Sequence, residues 1–126
     1  MKLHFLSPAL HGVLDYLAAI ALIVAPFALG LESEGAIALW LSVAGGAGLI
    51  LYSLLTDYRF GAAALFSYNA HLALDLLAAA AFIAAPFLFG FGGLASAYYF
   101  VMAGGVIAVV AFSDRRAGQP ATIAAG

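Results

Sequence analysis

Two segments, "HGVLD" at His11 to Asp15 and "HLALD" at His71 to Asp75, each set a histidine and an aspartate four residues apart within a long apolar run. On a helix, residues i and i+4 share a face, so each imidazole can donate to, or pair as a cation with, the carboxylate one turn on. An aspartate near the middle of a membrane-spanning helix costs roughly 2.5–3.5 kcal/mol on insertion scales, so both copies need partners. The plainest reading is a self-neutralising pair that anchors the helix start, with Tyr16, Tyr58, Tyr68 or Asn69 as further partners across the bundle. A sharper reading has both faces meet, bringing His11, Asp15, His71 and Asp75 together. Such a group could hold a divalent metal, such as zinc, iron or manganese, or form a proton relay. Haem between His11 and His71 ranks below both, because an aspartate one turn away is an awkward neighbour for an apolar macrocycle.

These residues require helices long enough to bury them. Of 126 residues, 67% are hydrophobic and 8% charged, a balance that suits a membrane-embedded chain and leaves no material for a soluble domain. A span needs about 20 apolar residues, so four spans take up most of the chain. The expected fold is an all-α membrane protein with helices at about 7–30, 35–56, 67–90 and 94–113, joined by short links into an up-down-up-down bundle. Residues 1–116 then form a single transmembrane domain, and 117–126 a disordered tail. The first run is too long and carries too many breaks (Asp15, Pro26) for a signal peptide, and its pattern recurs in mid-chain. The lack of cysteine removes disulfides and thiolate ligands, and a net charge of −2 without a basic stripe argues against nucleic acid.

Residues 11–30 and 71–90 share 12 of 20 identities at an offset of 60. The second members match more weakly, through Ala44–Gly46 against Ala103–Gly105 and through Asp57 against Asp114. The unit is therefore a helical hairpin, with repeat 1 at about 1–60 and repeat 2 at about 61–116. Two spans return the chain to its starting side, so the copies should be parallel and related by a pseudo-two-fold axis along the membrane normal. Lys2, Arg59, Arg115 and Arg116 fall on one side and Glu32 and Glu34 on the other, which puts both termini in the cytoplasm. Ser7 and Ser67 suit N-caps, Pro26 and Pro86 shape the last helical turns, and the glycines of "AGGAG" and "AGG" read as packing seams. Trp40, Tyr98 and Tyr99 read as interfacial aromatics. Asp57, Tyr58 and Arg59 form a polar cluster on the side of both His–Asp pairs, placed to act as a cytoplasmic mouth.

"LSPALHGVLDYLAAIALIVAPFALG", "LYSLLTDYRFG" and "HLALDLLAAAAFIAAPFLFG" resemble the SPW-repeat family of small bacterial membrane proteins. The resemblance implies a repeat of two transmembrane helices, an inner-membrane location and a Ser-Pro-Trp signature near the end of the first helix. Here the signature positions read Ala25-Pro26-Phe27 and Ala85-Pro86-Phe87, which keep the proline and lose the hydroxyl and the indole. The resemblance implies no reaction. The leading expectation is a non-enzymatic binding or structural module in the lipid bilayer, as a homo-oligomer or as a subunit of a larger membrane assembly. The alternatives are proton transport or divalent-metal binding through the paired His–Asp site, and a metal- or haem-dependent membrane enzyme.

Overall fold

The computed structural model describes residues 3–115. The expected tail at 117–126 lies outside them, as do Lys2 and Arg116. The four helices are α1 (Pro8–Ala28), α2 (Ala36–Leu54), α3 (Tyr68–Phe89) and α4 (Gly93–Ala111), with a 3₁₀ turn at Leu31–Glu34 between the first two. Each is long and apolar enough to cross a membrane, and the described residues contain no strand. The fold is all-α, as the sequence leads one to expect.

The helix starts follow from their caps. The Ser7 hydroxyl accepts from the Leu10 amide at 3.2 Å with Pro8 in the first position, and the Ser67 hydroxyl accepts from the Ala70 amide at 3.1 Å. These bonds satisfy amides that have no partner within the helix. Gly30 and Gly90 stop α1 and α3 in left-handed conformations, at φ 66° and 64°. Pro26 removes the amide that would bond the Leu22 carbonyl, and the Ser42 hydroxyl of α2 donates to that carbonyl at 2.8 Å. With its proton so used, the Ser42 oxygen accepts from the Tyr98 hydroxyl of α4 at 2.6 Å. At the same end, Glu34 accepts from the Ala95 amide at 3.0 Å and so caps α4, whose own N-cap is a glycine.

Packing is closest within each hairpin. A Cβ on Gly46 would lie 2.7 Å from the Ala19 carbonyl oxygen, so this glycine lets α2 rest on the backbone of α1. Gly45 receives the ring of Phe82 from α3, which would stand 3.1 Å from an added Cβ. The "AGG" of α4 departs from expectation: Ala103 is buried, but Gly104 and Gly105 have no atom within 4 Å of an added Cβ and make no seam within this chain. Tyr98 and Tyr99 are also not interfacial. Both are buried, because their hydroxyls reach Ser42 and the Ala38 carbonyl, the latter at 2.7 Å; Trp40 alone is exposed and meets Phe27 edge to face.

At the opposite end, two matched backbone clamps join helix starts to helix ends. The Leu6 amide donates to Phe112 and the Leu6 carbonyl accepts from Asp114; likewise the Phe66 amide donates to Leu55 and its carbonyl accepts from Asp57. The link at 55–67 folds back so that Ala62, Ala63, Leu65 and Phe66 serve the open carbonyls of Leu54 and Leu55.

Gly46→Ala should therefore lower stability by about 1–3 kcal/mol, a typical cost of overpacking, while Gly104→Ala should leave it within about 0.5 kcal/mol. Thermal unfolding of the detergent-solubilised variants checks both.

Candidate functional site

The clamps fix what surrounds the histidines. Each brings the last hydroxyl of a second helix beside the cap of a first helix, Ser113 next to Leu6 and Thr56 next to Phe66, with the histidine one turn further on. His11 Nδ1 lies 2.7 Å from Ser113 Oγ, and His71 Nδ1 lies 2.8 Å from Thr56 Oγ1. Both hydroxyls already donate to a backbone carbonyl four residues back, Ser113 to Val109 and Thr56 to Tyr52, each at 2.6 Å. Their oxygens can only accept from the rings. Both imidazoles therefore carry their proton on Nδ1, and both Nε2 atoms face the aspartates.

There the pairs cross between repeats. His11 Nε2 is 2.9 Å from Asp75 Oδ2 and His71 Nε2 is 2.9 Å from Asp15 Oδ2, whereas the i,i+4 distances within each helix are 3.2 and 3.4 Å. The four groups form one quartet, not two separate pairs. One ligand atom from each lies within 4.8 Å of all the others. Both histidines are wholly buried, and Asp15 and Asp75 are 5% and 3% exposed. His71 Nε2 makes no hydrogen bond despite its short distance to Asp15, which leaves a fully buried nitrogen facing the centre without a hydrogen-bonding partner.

Tyrosines complete the outer ring. The Tyr52 hydroxyl donates to Asp75 Oδ1 at 2.6 Å and the Tyr58 hydroxyl to Asp15 Oδ2 at 3.0 Å. Tyr58 lies in the link outside the spans, where burial and the neighbouring Asp15 charge push its hydroxyl pKa up and keep it a donor. The rings of Tyr52 and Tyr58 pack on His71, with centroids at 4.9 and 5.2 Å, and Tyr68 meets His11 edge-on at 5.6 Å. Gly12 admits this cover: an added Cβ would stand 3.1 Å from the Phe60 ring and 3.2 Å from that of Tyr58.

Of the residues singled out from sequence, His11, Asp15, His71, Asp75 and Tyr58 are thus brought together. Asp57 and Arg59 of the expected mouth are exposed, and the Arg59 guanidinium lies 5.9 Å from the ring centre of Phe60. Tyr16 bonds the Phe60 carbonyl and Asn69 is exposed, so neither reaches an aspartate. Tyr52, Thr56 and Ser113 were not anticipated. The signal for Thr56 and Ser113 is the hydroxyl that precedes each matched aspartate, in Thr56-Asp57 and Ser113-Asp114.

Tetrahedral zinc takes nitrogen at about 2.0–2.1 Å and carboxylate oxygen at about 2.0–2.2 Å, which makes neighbouring ligand atoms about 3.3–3.5 Å apart. The quartet's N···O distances of 2.9–3.4 Å are close to this, while its ligand atoms spread over as much as 4.8 Å, so a tetrahedral ion would need the wider pairs to close. Each ring also makes the outer hydrogen bond that fixes a metal-binding imidazole. The four residues could hold a divalent ion. They do not fit haem, since carboxylates fill the space between the rings.

The family model described as SPW repeat domain matches residues 9–114 of the chain. Comparison with curated proteins finds no match. Comparison with solved structures finds none either.

Removing one carboxylate leaves buried groups uncompensated. Asp15→Leu should cost about 3–5 kcal/mol, the usual penalty for breaking a buried charged pair, and Glu32→Leu, at an exposed site, less than about 0.5 kcal/mol. Unfolding of the two variants in the same detergent gives the comparison.

Proposed function

The chain belongs to the SPW repeat family, and we propose that this multi-pass membrane protein is a small binding module that holds one divalent transition metal within its His11–Asp15–His71–Asp75 quartet. The observation that carries this reading is the commitment of both Nδ1 protons to Ser113 and Thr56, which turns both Nε2 atoms toward one centre shared with two carboxylates. Two buried carboxylates need two positive charges nearby. Two Nε2 protons supply them, and so does a single dication. Two nitrogen and two carboxylate ligands suit zinc, iron or manganese, and the full set of outer hydrogen bonds is what an ion site needs to hold its ligands in place.

A proton relay is less well supported. A relay needs an exit from each ring, yet the Thr56 and Ser113 protons both end on backbone carbonyls that have nothing further to pass on. The membrane setting follows from the four apolar spans. A cytoplasmic placement of both termini in an inner membrane is supported by Arg59 and Arg115, which share the quartet's end of the bundle, with Glu32 and Glu34 at the other. The exposed Gly104 and Gly105 leave room for assembly with a second copy or a larger complex.

The test is elemental analysis of the purified full chain after exposure to Zn²⁺, Fe²⁺ or Mn²⁺ and removal of excess. About one tightly held ion per chain is expected, lost when Asp15→Asn and Asp75→Asn are combined. A wild-type chain that retains none of the three metals, or a double variant that retains as much as wild type, would overturn the proposal.

A further inference from the structure

The quartet is not sealed on every side. A cavity of about 450 Å³ lies between the four helices, with Asp15, Asp75 and Tyr52 at its polar end and apolar walls elsewhere, among them Leu22, Phe82, Met102 and Val106. Its volume falls within the range of small-molecule pockets, about 300–1,000 Å³. Leu17 of α1 and Val101 of α4, which line it, are 58% and 70% exposed, and Gly105 of α4 has open space where a side chain would stand. The mouth is therefore apolar and lies between α1 and α4, partway along the spans, where it faces lipid and not water.

Divergence between the repeats explains the opening. Phe82 fills the seam between α2 and α3 by packing on Gly45, but its counterpart at the offset of 60 is the smaller Leu22, and the counterpart glycines of α4 meet nothing. One seam is plugged and the other is left hollow.

The chemistry of the polar end selects an occupant. Asp15 and Asp75 present carboxylate oxygens, and Tyr52 has committed its proton to Asp75 Oδ1, so its oxygen also offers only lone pairs. Every polar group at this end accepts, and an occupant must donate. The quartet's own charges balance, so an ammonium head would carry an uncompensated charge into an apolar chamber, whereas a hydroxyl brings none.

We propose that a bilayer-soluble alcohol or phenol enters this cavity between α1 and α4 and donates its hydroxyl proton to the carboxylate of Asp15 or Asp75. The inference extends the binding role to a ligand class, and it rests on the quartet but not on the ion, because the carboxylate oxygens still accept a hydrogen bond with or without a metal.

The experiment uses the full chain in phosphatidylcholine nanodiscs and a ten-carbon alcohol bearing a photoactivatable diazirine, compared with its methyl ether. The alcohol should label cavity residues such as Leu22, Met102 or Val106, and the ether, which lacks the donor, should do so less by on the order of tenfold, as expected for one hydrogen bond to a charged acceptor. Leu22→Phe and Gly105→Leu, two independent ways of filling the space, should each abolish the labelling while keeping the metal content of the wild type. Equal labelling by alcohol and ether, or labelling that survives in both filled variants, would overturn the inference. A chain that takes the label but no metal would overturn the metal reading and support this one.

Discussion

Two carboxylates taken out of water into the middle of a helical bundle set the terms for everything around them. Each would be prohibitive alone. They are tolerated because two imidazoles face them at 2.9 Å across the repeats, and because two tyrosine hydroxyls take up further lone pairs. The imidazoles in turn are held by Ser113 and Thr56, and these hydroxyls stand where they do because the backbone clamps join Leu6 to Ser113 and Phe66 to Thr56. The architecture of this end of the bundle, from caps to clamps to rings, is thus one connected set of hydrogen bonds and ion pairs with the aspartates at its centre. Since each short contact joins one repeat to the other, the same bonds that relieve the charge hold the hairpins together.

Duplication supplies the means. A single hairpin with one histidine and one aspartate offers two ligand atoms; a second copy doubles them to four. The copies then diverge where it matters for access. Gly12 in the first repeat makes room for the rings of Tyr58 and Phe60, while Leu72, its counterpart, is buried against Tyr68 and Val110. Phe82 fills one seam and Leu22 leaves the other hollow, so a centre built by repetition has unlike flanks.

Much of this was legible in the residues. Apolar length and the Ser7 and Ser67 caps gave the helices to within about two residues, and the recurrence of His and Asp at an offset of 60 pointed to the quartet. What escaped was set by tertiary geometry. The i,i+4 spacing favours pairing within a helix, and nothing in one dimension shows that the contact across the repeats is shorter. Tyr98 and Tyr99 look interfacial by type, but Pro26 and Ser42 create an acceptor for Tyr98 inside the bundle and the Ala38 carbonyl accepts from Tyr99. Gly104 and Gly105 share the pattern of a seam, but the partner surface they would need is absent on the Leu22 side. Asp57 and Arg59 sit next to Tyr58 in sequence, yet only the tyrosine is turned inward to reach Asp15.

The central claim is that the four groups act as one centre shared between repeats. The most direct measurement is a pair of double-mutant cycles on the metal-free protein in detergent, with His11→Asn combined with Asp75→Asn across the repeats and with Asp15→Asn within the helix. Contacting groups in one network couple by about 0.5–3 kcal/mol, and the account predicts the larger coupling for His11 with Asp75. A His11–Asp75 coupling near zero, with the full interaction found between His11 and Asp15, would mean two self-contained pairs and contradict it.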